Sequence, residues 1–345
     1  MLTEIQKGAL EQAKAMTETN TPEKISEVET QATEAAVTSA EEQAPPEKVP
    51  YTPKKRRRRM GDRRDGRLLH DIPAMPKLMP YIMINRSDAC NTFSDALDIT
   101  KADQYCRSKV RAGQTGFSML HLFLAAYVRL ISQYPAINRF VSGQRIYARR
   151  DIEFVMTIKK SMSIDSEDTC IKVKFDPTDT PDEVYAKFNA VVEANKQDAN
   201  EKNDFDVFIG KMAALPRWML RIAAWALRKL DYYGMMPASL LDGLPFYGSM
   251  IITSMGSLGI RPIYHHIYDF GNLPVFLSYG TKYTRMIPNA DGTMTKKKFI
   301  DLKAVTDERI CDGYYYASAF KALKKYIENP EILDTPPAEV FEDVD

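Results

Sequence analysis

Cysteine, histidine and tryptophan are scarce in this chain of 345 residues, which holds four Cys, four His and two Trp. Cys90, Cys106, Cys170 and Cys311 lie far apart, with no closely spaced pair of the kind that holds zinc. They read as reduced thiols of a cytoplasmic protein rather than as a disulfide framework. No stretch of about 18 uncharged apolar residues occurs, so no membrane span is expected. The opening "MLTEIQKGALEQAK" has no basic start followed by an apolar run, so no secretory leader is expected. No repeat at a solenoid period is present either.

What is abundant is ordinary for a globular protein: 44% hydrophobic and 27% charged residues, enough for a substantial core. The net charge of +1 hides a strong local asymmetry. Residues 1–50 carry ten Glu and four Lys, whereas residues 51–67 carry nine Lys or Arg and two Asp. Residues 1–53, poor in aromatics, are expected to form a disordered acidic tail, with at most a frayed helix over 2–16. Residues 54–70 read as a basic linker, 71–333 as one folded domain, and 334–345 as an acidic C-terminal tail. A run such as "KKRRRRMGDRRDGR" is on its plainest reading a solvated stretch of like charge. A partner for residues 54–67 would be anionic.

Within 71–333 the periodicity changes repeatedly. Three prolines in "DIPAMPKLMPYIM" argue against a long helix there. "NTFSDALDIT" alternates like a strand, and "KADQYCRSKVRAG" reads as a short helix ending at Gly113. "GFSMLHLFLAAYVRLISQYPAIN" is a strongly apolar core helix. A hairpin through Ser142-Gly143 and two strands follow, the second being "DTCIKVKFDP". "TPDEVYAKFNAVVEANKQ" is a helix with Thr180 placed to cap it. The stretch 214–230, "ALPRWMLRIAAWALRKL", is a basic amphipathic helix, with Trp218 and Trp225 on one face beside Leu215 and Ile222. Packing on its own protein is the plainest reading, and a membrane surface is the rival. "SMIITS" and "VFLSYG" read as central strands joined through the turn "MGSLG". "TKKKFIDLKAVTD" supplies a last strand that runs into "ERICDG" and a final helix. Strands and helices alternate without a βαβ rhythm, so the fold class is α/β with a large mixed sheet.

The order of these pieces resembles the catalytic domain of the dihydrolipoyl acyltransferases of 2-oxo acid dehydrogenase complexes, which shares its fold with chloramphenicol acetyltransferase. "DERICDG", Asp307 to Gly313, resembles that family's D-H-R-x-x-D-G loop. "AMPKLMPYIM" falls where the family has its first helix, and "TFSDALDIT" where it has its first strand. "FSMLHLFLAAYVRLISQYPAINRFVSGQRIYARRDIEFVMTI" is similar to the central helix, hairpin and strand. "ITSMGSLGI" is similar to the Ser-Asn-Leu-Gly turn. The likeness runs over about residues 71–333 and includes no lipoyl domain.

The resemblance implies a chloramphenicol-acetyltransferase-like mixed-sheet domain, a homotrimer with its site between subunits, and a small-molecule acyl donor. Coenzyme A or acyl-coenzyme A is implied as substrate, with no lipoyl group on this chain and no metal. In the family the loop His takes a thiol proton, a Ser or Thr hydroxyl stabilises the oxyanion, and the Asp of Asp-Gly braces the loop through an Arg. Here Glu308 holds the His position. A free carboxyl titrates near ~4.3 against ~6.5 for imidazole, so it is a base roughly a hundredfold weaker unless buried. Asp312 maps to the brace, or caps the last helix, with Lys77 as the nearest basic partner. Ser254, or Thr253, maps to the oxyanion hydroxyl. His266, beside His265, is the alternative base. His70 reads as solvent-facing, His121 as a satisfied core residue, and Cys311 as a small core thiol. Two functions follow: acyl transfer from a coenzyme A-type thioester, or an acyltransferase-like binding or scaffold protein that has lost turnover.

Overall fold

The strand pattern of the sequence folds into two sheets in the computed structural model, which describes residues 51, 56–159, 168–197 and 210–345. The expected acidic tail lies outside the described residues except for Tyr51. The described residues belong to the compact unit Val49–Asp345.

A small sheet pairs β1 (Gly66–Leu68), β4 (Arg145–Arg149) and β3 (Arg139–Ser142), in that spatial order. The large sheet has the order β2 (Cys90–Asp98), β9 (Met294–Asp307), β8 (Val275–Pro288), β7 (Met250–Ser254), β5 (Ile152–Lys159) and β6 (Asp168–Phe175). The β5–β7 and β7–β8 pairs are parallel and the remaining pairs antiparallel, so the sheet is mixed, as expected. β8 and β9 form a long hairpin of 14-residue strands.

Seven helices are described: α1 (Ala74–Ile82), α2 (Thr100–Arg111), α3 (Met119–Gln133), α4 (Pro181–Gln197), α5 (Arg217–Tyr232), α6 (Ala238–Gly243) and α7 (Gly313–Glu328). One sheet face carries Phe154, Met250, Leu277, Tyr279 and Ala304 and is covered by α3, α4 and α7. Phe123 stacks on Tyr279 and Phe93 on Phe320, with ring centroids 4.8 and 4.6 Å apart. α3 is apolar all round because it is buried all round. On the opposite face, Val155, Ile251, Phe276 and Val305 are covered by Ile267 and Leu273 of a strap over residues 259–274. Gly271 in this strap has φ +83°, and a side chain there would run into the Phe246 carbonyl.

The prolines leave α1 nine residues, with Pro73 at its N-cap and Pro80 inside its last turn. His121 is a core residue. Its Nδ1 accepts the Ser118 N–H at the start of α3, and burial pushes its pKa down to about 4.

Two segments read from sequence as linker and tail are held on the fold. Arg63, within the basic run, is buried. It donates to Asp65 at 3.0 Å, the Ser142 hydroxyl at 2.8 Å and the Asp231 carboxylate at 2.8 Å. Residues 66–68 then pair with β4. At the other end Asp343 takes a two-pronged bond from Arg139, Asp345 pairs with Arg67, and the Phe341 N–H donates to the Ser132 carbonyl. Charge pattern alone does not show which members of a basic run have buried partners.

α5 packs on the protein, but not through the face that carries the tryptophans. Leu227 and Leu230 pack on Met236, Leu241, Leu244 and Tyr247. The tryptophan face is not covered by any of the described residues: Trp218 is 64% and Trp225 61% exposed. No helix among the described residues is long and apolar enough to cross a membrane.

Removing the Arg63 guanidinium leaves Asp65 and Asp231 without their buried cation. Arg63→Met is therefore expected to cost about 3 kcal/mol in chemical denaturation. A loss below about 0.5 kcal/mol, the range of an unremarkable surface substitution, would show that the run is only a linker.

Candidate active site

The strongest constraint near the candidate loop is a carboxylate with no exposure to water. Asp307 closes β9 and is 0% exposed. Its Oδ1 accepts Arg309 Nε at 2.8 Å and the Arg309 backbone N–H at 3.1 Å. Its Oδ2 accepts Arg309 Nη2 at 2.7 Å and Arg86 Nε at 3.2 Å. Side-on pairing of this kind needs a planar guanidinium.

Each arginine spends its remaining donors on backbone carbonyls. Arg309 Nη1 reaches Met83 at 3.1 Å and Ile84 at 3.0 Å, just past α1. Arg86 reaches Tyr268 at 2.6 Å and Gly271 at 2.9 Å in the strap, and Val141 at 3.2 Å in β3. Burial lowers the Arg86 pKa, Asp307 opposes that shift, and Arg309 adds to it. The Tyr316 hydroxyl closes the loop from the helix side on the Asp307 carbonyl, at 3.0 Å.

The expected brace therefore exists on different residues. Asp312 caps α7, accepting the Tyr315 N–H at 2.8 Å. It has no ion-pair partner among the described residues, and Lys77 is exposed on α1. Asp307 is the braced carboxylate and Arg86 its cross-chain partner. The resemblance places the partner inside the first helix, where Lys77 is the nearest basic residue. Two signals point to the actual pair: an Asp ending an apolar strand with an Arg two residues on, and an Arg just beyond α1.

Glu308 lies between two buried residues and is itself exposed. Its N–H donates to the Ala89 carbonyl at 2.8 Å, which fixes the backbone from which its side chain leaves. Arg309 is committed to Asp307 and bonds no atom of the Glu308 carboxylate. The 83–89 segment and the strap flank this position. Ile82, Ile84 and Tyr268 leave large apolar surfaces exposed there, Ile84 to 66%.

His266 belongs to the strap, two residues before Tyr268, so Arg86 ties it and Glu308 to one clamp. Its ring is exposed, edge-on to Tyr268 at 5.1 Å. His265 stacks on Phe276 with centroids 4.3 Å apart, and burial lowers its pKa, helped by His266. Asp269 serves structure, accepting the Ser87 N–H and hydroxyl at 2.9 and 3.0 Å.

Ser254 ends β7, partly buried, opposite Tyr279 in the β8 register. Burial pushes the pKa of the neighbouring Tyr279 phenol up to about 12, and the Ser254 side chain opposes that shift. Thr253 is opposite Ser278 and projects to the other face. Tyr279 pairs with Leu302 in β9, five residues before Asp307. At about 3.4 Å per residue, Ser254 and the Glu308 loop are thus about 17 Å apart along the strands. One chain does not bring the two candidates together.

Cys311 packs against the core, and burial pushes its pKa up to about 12, so it is a protonated thiol. None of the four cysteines is in a disulfide.

No family model and no curated protein matches the chain. Solved structures similar to it include a probable dihydrolipoamide acetyltransferase from Listeria monocytogenes, 14% identical, with a TM-score of 0.47 over 75% of this chain and 93% of that one. The dihydrolipoamide acetyltransferase of Azotobacter vinelandii is 16% identical, with a TM-score of 0.43 over 77% and 93%. A chloramphenicol acetyltransferase is 11% identical, with a TM-score of 0.46 over 76% and 99%. These belong to the family that the sequence resembles.

Two outcomes test the loop. Asp307→Asn leaves two buried guanidiniums without a counter-charge, and is expected to destabilise by about 3–5 kcal/mol. Asp312→Ala removes only a cap, about 1 kcal/mol. Equal losses from the two in denaturant titrations would mean that the brace is not at Asp307. Cys311 should alkylate at pH ~8 about a thousandfold more slowly than a free thiol. Labelling as fast as in the unfolded chain would contradict its burial.

Proposed function

We propose that the chain is an acyltransferase that moves an acyl group between a coenzyme A-type thioester and an acceptor, as a cytoplasmic homotrimer whose site closes between copies. The observation that carries this reading is the placement of Glu308. A buried clamp presents it rigidly, beside exposed apolar side chains, and about 17 Å from Ser254 of its own chain. A second copy laid against Ile82, Ile84 and Tyr268 would bury that apolar surface, take Glu308 out of water and bring its own Ser254 near. Burial of the carboxyl raises its pKa toward the range a base needs.

The chemistry follows from those positions. Glu308 takes the proton of an acceptor thiol, and the thiolate attacks the acyl carbonyl carbon. The Ser254 hydroxyl donates to the oxyanion that forms. Collapse breaks the bond from carbon to the coenzyme A sulfur, and the leaving thiolate recovers the proton from Glu308. His266 is the other candidate base, held on the same clamp. The exposed carboxylate of Glu308 in a single copy favours a second reading, a binding or scaffold protein without turnover.

Thiol release from a panel of acyl-coenzyme A donors separates the two readings. With Glu308 as base, Glu308→Gln should lower turnover about 10²-fold or more, and His266→Ala should have little effect. The reverse pattern assigns the base to His266. Mixing tests the shared site directly. Glu308→Gln and Ser254→Ala chains, each inactive alone and unfolded and refolded together, should recover about a quarter of the full activity, since that share of interfaces pairs two intact residues. No recovery would place the site within one chain. No release with any donor would leave the scaffold reading.

A further inference from the structure

α5 carries an outward face that no other described residue covers and that the proposed site does not use. Trp218, Ile222 and Trp225 are four and three residues apart and so share one side of the helix. Leu227 and Leu230, on the opposite side, seat the helix on Met236, Leu241, Leu244 and Tyr247. The tryptophans and Ile222 are thus turned away from the apolar cluster that the helix touches among the described residues, and all three are more than half exposed.

The charges around this stripe have one sign. Lys211, Arg217, Arg221, Arg228 and Lys229 are exposed, and among the described residues none of the five has a carboxylate partner. The sole carboxylate between residues 210 and 235 is Asp231, which is turned inward onto Arg63 at 2.8 Å. Arg217, Arg221 and Arg228 run in a row along the flank of the tryptophan stripe: Arg217 is four residues from Arg221, and Arg221 and Arg228 are each three residues from a tryptophan. The same Arg63 contact fixes the basic run at the C-terminal end of the helix, where Arg57, Arg58, Arg59 and Met60 are exposed.

We propose that α5 and the adjoining basic run form a docking surface for a bilayer carrying anionic lipid. The chemistry matches one occupant. Indole rings combine an apolar body with an N–H and are suited to the headgroup boundary, while flanking arginines keep their stems in the apolar layer and their heads at lipid phosphates. A second copy related by a two-fold axis would set these cations against themselves. A nucleic acid would neutralise the arginines but leave Ile222, Met219 and Leu220 in water. The surface lies on the chain irrespective of the acyl-transfer reading.

The chain supplies its own probe, because its two tryptophans are both in this helix. Full-length protein is mixed with vesicles of phosphatidylcholine alone, or with vesicles in which about a third of the lipid is phosphatidylserine. Co-sedimentation with the second and a blue shift of tryptophan emission are expected, both weakening as salt rises. Arg221→Glu with Arg228→Glu should lower the apparent affinity at least about tenfold, since each basic residue near the surface contributes about fivefold. Trp218→Ala with Trp225→Ala should abolish sedimentation while leaving melting temperature and oligomeric mass unchanged. The proposal is overturned if the unmutated chain binds neither vesicle and its emission stays fixed. It is also overturned if the tryptophan variant drops to a smaller oligomer, or if the chain holds double-stranded DNA but not vesicles.

Discussion

A single buried carboxylate shared by two guanidiniums organises this molecule. Placing Asp307, Arg86 and Arg309 in the interior leaves a net positive charge out of water, which is costly unless every donor finds an acceptor. The fold supplies five backbone carbonyls for the purpose, from Met83, Ile84, Val141, Tyr268 and Gly271. Those carbonyls come from the segment after α1, from the small sheet and from the strap. The cluster is therefore less a stabilising ion pair than a junction at which four stretches of chain must meet in one geometry. Glu308 inherits its direction from that junction, since both its neighbours are fixed in it.

The β7–β8–β9 registers impose the second constraint. Ser254 ends a strand that runs parallel to β8, while Asp307 ends a strand antiparallel to it, so the two emerge at opposite ends of the same sheet. No side-chain rotation spans that separation. Under the acyl-transfer proposal Glu308 adds a further demand, because an exposed carboxyl is a poor acceptor for a thiol proton. The second copy proposed above would meet both demands by approaching over the apolar residues around Glu308.

Much of the architecture was legible because the elements concerned bury one face or all faces. "FSMLHLFLAAYVRLISQ" can only be a core helix, and "MIITS" and "VFLSYG" emerge as adjacent central strands. The Asp-Gly helix entrance was legible too, since Asp312 caps α7 as its residue type suggests. The clamp was not, because Arg86 and Asp307 are 221 residues apart and no local pattern links them. α5 shows a different blindness. Its periodicity reveals two apolar stripes but not which one the protein covers. The leucine stripe turned inward and the larger, aromatic stripe outward. The basic run departs at one position: its composition suggests solvation, which holds for Arg57, Arg58, Arg59 and Arg64, yet Arg63 is among the least exposed polar residues.

The clamp at Asp307 and the one at Arg63 are not independent. Gly271 gives its carbonyl to Arg86, and the next residue, Asn272, accepts Arg149 Nη2 at 2.8 Å through its side chain while donating to Asp65 at 2.6 Å. Asp65 in turn accepts Arg63, which holds Asp231 at the end of α5. A continuous run of charge-assisted bonds thus leads from the Glu308 loop, through two adjacent strap residues, to the base of the exposed helix. Such bonds have narrow geometric tolerance. The left-handed turn at Gly271 permits the strap to serve both ends, because a side chain there would separate it from Phe246. The strap that carries His266 is thereby the element through which the orientation of α5 and the position of Glu308 are set together.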